Sequence, residues 1–129
     1  LKPHLLALAL LVVAACPAEA RKPDDAQMLS LDPTFRVEQR CNARGMGVVG
    51  REHKPLHPDE LVAYAYHDTA VKGAVVKAPG AAIRSGDTWY HLSYVCETSD
   101  DGLEIKSFQY ALGEPIPKTE WGQHYLVSP

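Results

Sequence analysis

The chain has 129 residues, 46% of them hydrophobic, with 13 lysines and arginines against 16 aspartates and glutamates and a net charge of −3. That length holds one domain of ordinary size. A mild acidic excess with no block of like charge makes nucleic acid and anionic membrane poor partners for the chain as a whole.

The first residues read as an export signal, expected over 1–20. Lys2 and His4 open a weakly basic start, Leu5 to Val13 is an apolar run too short to span a bilayer, and small residues follow. Two cleavage sites compete. Ala18-Glu19-Ala20 carries small residues at −3 and −1 and would give a mature start at Arg21, which is the preferred cut. Val13-Ala14-Ala15-Cys16 resembles a lipobox, and use of it would anchor the protein to a membrane through a lipid on Cys16. The expected location is therefore periplasmic or secreted, with a lipoprotein anchored through Cys16 as the alternative.

Residues 21–30 are polar, contain Pro23 and read as a flexible lead-in to a single domain over 31–129. Asp32-Pro33 is a capping residue followed by proline at the first helical position, which predicts a helix from there. At 100° per residue, Phe35, Val37, Cys41, Gly45, Met46, Val48 and Val49 fall on one half of it, and Arg36, Arg40, Ala43 and Arg51 on the other. Gly45, Gly47 and Gly50 weaken its end, so it should stop near Gly50. His57-Pro58-Asp59-Glu60 repeats the start signal and predicts a second, short helix to about Asp68.

Three turn signals then announce a sheet. Ala78-Pro79-Gly80-Ala81 suits a type II turn, Ser85-Gly86-Asp87-Thr88 a two-residue hairpin, and Ser99-Asp100-Asp101-Gly102 a longer hairpin loop. Four strands follow, near 71–77, 81–85, 88–98 and 103–112, as an antiparallel meander. The hairpins pair Ser85 with Thr88, Ile83 with Tyr90 and Val76 with Ile83, and they put Tyr90, Leu92, Tyr94 and Cys96 on the core face. In the last strand Leu103 and Ile105 are odd whereas Phe108, Tyr110 and Leu112 are even, so a β-bulge near Lys106-Ser107 must switch the face. From Pro117 one or two helical turns are expected, anchored by Trp121 and Tyr125. The fold class is thus α+β: two N-terminal helices on a four-stranded antiparallel meander, with a short helical tail.

Either cut leaves Cys41 and Cys96 as the two thiols of the mature chain. An even number in an oxidising compartment reads as one disulfide, contributing about 3–4 kcal/mol by constraining the unfolded chain. With Cys41 on the helix's apolar half and Cys96 on the core face, it would join helix to sheet.

Candidate sites are sparse. His53 and His57 are four apart, but Pro55 lies between them and no third ligand is implied, so no metal site and no cofactor are expected. His67-Asp68 with Ser93 lacks the nucleophile turn of a catalytic triad, so no catalytic residue is assigned and a non-enzymatic role is favoured. Glu38 and Asn42 sit amid the helix's apolar half, where a carboxylate must be paired or neutralised; a small-ligand or hydrolase pocket around them is the alternative reading. On the sheet face turned away from the helices, Arg84, Trp89 and His91 would form a stacking platform, unless the tail with Trp121 folds across and covers it. The leading expectation is an exported domain that binds an envelope partner through that face.

Four stretches carry a resemblance: LDPTFRVEQRCN (Leu31 to Asn42), HPDELVAYA (His57 to Ala65), GAAIRSGDTWYHLSYVCETSDDGLEIKSFQYALG (Gly80 to Gly113) and IPKTEW (Ile116 to Trp121). In these the chain resembles domain-of-unknown-function family 930, across nearly the whole mature domain. The resemblance implies an exported alphaproteobacterial domain and carries over no catalytic residue.

Overall fold

The structure is a computed structural model, and residues 25–129 are described. The export signal, both cleavage sites and Cys16 lie outside the described residues. Helices α1 (Asp25–Leu29) and α2 (Pro33–Glu52) lead into strands β1 (Pro58–Val62), β2 (Ala70–Lys72), β3 (Val75–Ser85), β4 (Thr88–Thr98) and β5 (Ile105–Pro115), then the short helix α3 (Lys118–Trp121) and a 3₁₀ turn over Gly122–His124. The sheet is antiparallel in the order β1-β3-β4-β5, and β2 pairs with the other half of β3's edge.

The long helix starts where its cap places it. Asp32 Oδ1 accepts from the backbone N–H groups of Thr34 at 2.9 Å and Phe35 at 3.3 Å, satisfying donors that the helix leaves unpaired. It runs two residues past Gly50, to Glu52. Its buried side is rotated from the hydrophobic half: Phe35 is 50% exposed and Arg36 only 9%. Arg36 is inside because α1, where a flexible lead-in was expected, turns its carbonyls toward the guanidinium. Nε donates to Met28 O at 2.8 Å and Nη2 to Leu29 O and Leu31 O at 3.0 Å, while Nη1 reaches Asp101 O at 2.6 Å. A buried charge with this many acceptors is stable, and it ties the start of the domain to the β4–β5 loop.

The second helix does not form. Pro58–Val62 is an edge strand, paired from Pro58↔Ser85 to Val62↔Ala82. A strand sends consecutive side chains to opposite faces, which a helix does not. Leu61 thereby packs under α2 while Val62 enters the opposite core. The local start signal at His57-Pro58 is outweighed by the ladder to β3, irregular only between Pro58 and Glu60, and by burial on two faces.

The proline turn is also absent. Residues 75–85 form one strand with a bulge, because Ala78 faces Tyr94 and Ala81 faces Leu92, three steps against two. Val76 therefore pairs with Cys96 and Val71, not with Ile83. Proline is tolerated there since a bulge leaves a residue outside the ladder. The Ser85↔Thr88 and Ile83↔Tyr90 pairs form as expected. The bulge in β5 lies at Lys106, between Thr98↔Ile105 and Glu97↔Ser107. With five strands, the meander is extended by β1 and β2.

Two cores result, one on each side of the sheet. Beneath α2 lie Val37, Cys41, Val49, Val76, Ile83, Leu92 and Cys96, with Cys41 and Cys96 joined in the helix-to-sheet disulfide. On the outer side Val62, Ala65, Ala82, Trp89, Ile116, Trp121 and Leu126 form the second. Its roof is the tail: Trp121 is buried, but Tyr125 is 65% exposed, and Leu126 serves as the second anchor in its place.

Candidate functional site

The outer sheet face is divided in two. Its upper half, where Arg84 and Trp89 stand, is covered by the chain's own tail, and His91 is half-buried at the boundary with the open half. Trp89 is fully buried; its Nε1–H donates to Val127 O at 2.9 Å, and Arg84 Nη1 donates to the same carbonyl at 3.2 Å. The Arg84 guanidinium sits 5.6 Å over the Trp89 ring and is neutralised by Asp59 at 2.9 Å and Glu60 at 3.2 Å. The expected stacking pair exists, then, but its occupant is residue 127. Trp121 donates internally to Ile116 O at 3.0 Å.

Among the described residues nothing covers the lower half, which holds a trough along β4. Two adjoining depressions, about 390 and 420 Å³, share Pro79, Ser93 and Ala111. Ser93 and Ala111 are cross-strand partners on the outer face, and their small side chains make the depth. Toward one end the trough runs to Lys77, Val95 and Gln109, with Val95 44% exposed. At the other it stops against Tyr66, His67 and His91.

That end wall is built by the segment between β1 and β2, which crosses β3 at its bulge. Tyr66 N–H donates to Gly80 O at 2.8 Å. The backbones lie so close that a Cβ on Gly80 would stand 2.6 Å from the His67 nitrogen. Only glycine fits. The Tyr66 ring is stacked on His124 at 3.7 Å and tilted against His91 at 4.7 Å. His124 Nδ1 is 2.8 Å from Ala65 O, so that nitrogen carries the proton. The Tyr66 hydroxyl is buried and has no hydrogen-bond partner among the described residues. Burial, and then the charge of Glu120, hold its phenol above the ordinary tyrosine range.

The remaining sequence candidates take other positions. Asn42 is buried and its Oδ1 accepts the Tyr94 hydroxyl at 2.6 Å. Glu38 is half-buried and its carboxyl is raised by desolvation. Neither residue lines the trough. His53 Nε2 meets the Tyr110 hydroxyl at 3.0 Å, and that hydroxyl donates to Glu52. His57 contributes its backbone N–H to Ser85 Oγ at 2.8 Å. The two histidines thus diverge, and among the described residues no three His, Cys, Asp or Glu side chains gather as metal ligands. His67 and Ser93 both line the trough, with no hydrogen bond between them among the described residues. Tyr66, Gly80 and Ala111 were missed as site residues. The available signal was a Pro-Gly pair inside a strand and small residues at outward positions of β4 and β5.

Fold and site together define a small α+β domain, stapled by one disulfide, whose sheet is half sealed by its own tail and half open as a trough. The chain belongs to the family Domain of Unknown Function (DUF930), whose model matches residues 28–126. No curated protein and no solved structure matches the chain.

Proposed function

We propose that this is an exported, non-enzymatic binding domain of the bacterial cell envelope, which captures a protein partner in the trough along β4. One observation carries the reading. The tail buries the large aromatics of the outer face yet leaves an apolar-floored depression beside them, with Val95 44% exposed. Concave apolar surface with a few polar groups at its rim is the usual character of a binding site. Ser93 and Ala111 leave room for an incoming side chain, and Lys77, Gln109 and His91 supply polar contacts around it. The disulfide is in keeping with an oxidising compartment. A pocket around Glu38 and Asn42 gains less support, because Asn42 already holds Tyr94.

The test is site-specific photo-crosslinking in the native host. A photoreactive residue at 111 should give a discrete protein adduct in the envelope that the same residue at 87, on the exposed hairpin tip, does not. Ser93→Arg, which fills the floor, should remove the adduct while the protein still folds. Equal labelling from both positions, or an adduct unaffected by Ser93→Arg, would overturn the proposal.

A further inference from the structure

The geometry points to a second site on the opposite side of the molecule: a cleft between α2 and the start of β5 that binds a phosphoryl oxyanion through Arg40, Arg44 and Arg51. At 100° per residue these three share one stripe of α2, with Ala43 and Gly47 beside them. The cleft has a volume of about 530 Å³, and its other wall is formed by Asp25, Leu103, Glu104 and Ile105.

The three differ from the other two arginines of the described residues in what their donors meet. Arg36 gives four hydrogen bonds to carbonyls, and Arg84 meets two carboxylates and a carbonyl. Arg44 and Arg51 have no hydrogen-bond or ion-pair partner among the described residues. Arg40 touches Asp25 at 3.2 Å through Nη2, but its Nε–H is buried and unpartnered. A buried donor without an acceptor is disfavoured, and a small shift of the Arg40 side chain toward the cleft would bring it to a ligand oxygen.

Gly47 supplies a separate argument. Glycine inside a helix is unfavourable relative to alanine, so its place there calls for a reason. A Cβ at Gly47 would stand 3.1 Å from Arg51 Nη1. The Arg51 guanidinium therefore lies back along the helix, over the missing side chain of Gly47. Folded this way it shortens the span of about 16 Å that separates positions 40 and 51 along the axis. Each guanidinium presents a planar fork suited to paired oxygens. A phosphoryl group, with two or three free oxygens, engages more than one fork at once where a carboxylate engages one. With the carboxylates of Asp25 and Glu104 opposite, the lining groups sum to one net positive charge on a protein of net charge −3. The local field thus differs in sign from the average.

The oxyanion is either free in solution or the headgroup of a lipid, and the experiment separates these. The purified exported protein is titrated with inorganic pyrophosphate by calorimetry at low ionic strength, and floated with vesicles of phosphatidylglycerol or of phosphatidylcholine. Saturable pyrophosphate binding without flotation assigns a soluble ligand; flotation with phosphatidylglycerol alone assigns a headgroup. In either case Arg44→Gln with Arg51→Gln should weaken binding at least about tenfold, the equivalent of one lost charge-assisted hydrogen bond. Gly47→Ala should raise the melting temperature while weakening binding, a pair of opposite signs that a merely structural glycine would not give. Absence of both pyrophosphate binding and selective flotation, or binding that survives the double substitution, would overturn the proposal.

Discussion

Reduction of the Cys41–Cys96 bridge tests how much of the helix–sheet union depends on a covalent link. The cysteines are 55 positions apart and both are fully buried, one on α2 and one on β4. Chain-entropy arithmetic for a loop of that length gives about 14 cal/mol/K, hence about 4 kcal/mol at 25 °C, lost from the folded state's advantage when the bridge opens. The whole stability of a domain is about 5–15 kcal/mol, so the reduced protein should sit near the edge of folding. Urea unfolding of oxidised and reduced protein, followed by tryptophan fluorescence, measures it. The reduced form keeps both sulfurs, so packing is nearly unchanged and the difference isolates the cross-link. The Cys41→Ala, Cys96→Ala pair should lose more, since it also empties volume beneath α2. A reduced protein within about 1 kcal/mol of the oxidised one would refute the reasoning and imply that the unfolded chain is already compact.

Trp89→Ala should destabilise by about 3–5 kcal/mol and release the tail, which a red shift of Trp121, then the sole tryptophan, would report. Gly80→Ala should cost about 1–3 kcal/mol because its methyl would press on the His67 backbone at 2.6 Å; unchanged thermal melting would count against the crossing at the bulge. Tyr94→Phe strands the Asn42 amide oxygen in a buried position and should cost about 1–3 kcal/mol, partly recovered by Asn42→Leu in the same chain. Burial first, then the hydrogen bond and charge of Glu52, push the Tyr110 phenol up to about 12 from its usual 10.0. The folded state holds this proton longer than the unfolded one, so the contribution is complete below pH 10 and is lost as the pH rises toward 12. Glu52→Gln should bring the tyrosine absorbance titration back toward 10, and an unmoved titration would contradict the pairing.

Much of the fold was legible because it was written locally. Asp32-Pro33 set the start of α2, Ser85 and Thr88 set the register of the central hairpin, and the parity switch in β5 required its bulge. The disulfide followed from two thiols on faces that must meet. What misled was local too. His57-Pro58-Asp59-Glu60 and Ala78-Pro79-Gly80-Ala81 carry helix-start and turn signals of about a kcal/mol, and each yielded to the ladder along β3. The candidate site depended on the same choice: once β1 is a strand, residues 63–69 must cross the sheet, and Tyr66 becomes the wall of a trough.

By itself the sequence determined the class, the cap, the central register and the pairing of Arg84 with Trp89, which rest on residues adjacent in the chain or on a regular period, and the bridge, which rests on there being two thiols to pair. Only the tertiary structure decided that the tail closes over Trp89, that Arg36 is buried among carbonyls, and that Arg44 and Arg51 are left without partners. Each of those depends on segments far apart in the chain meeting in space, and no local spacing records which of them meet.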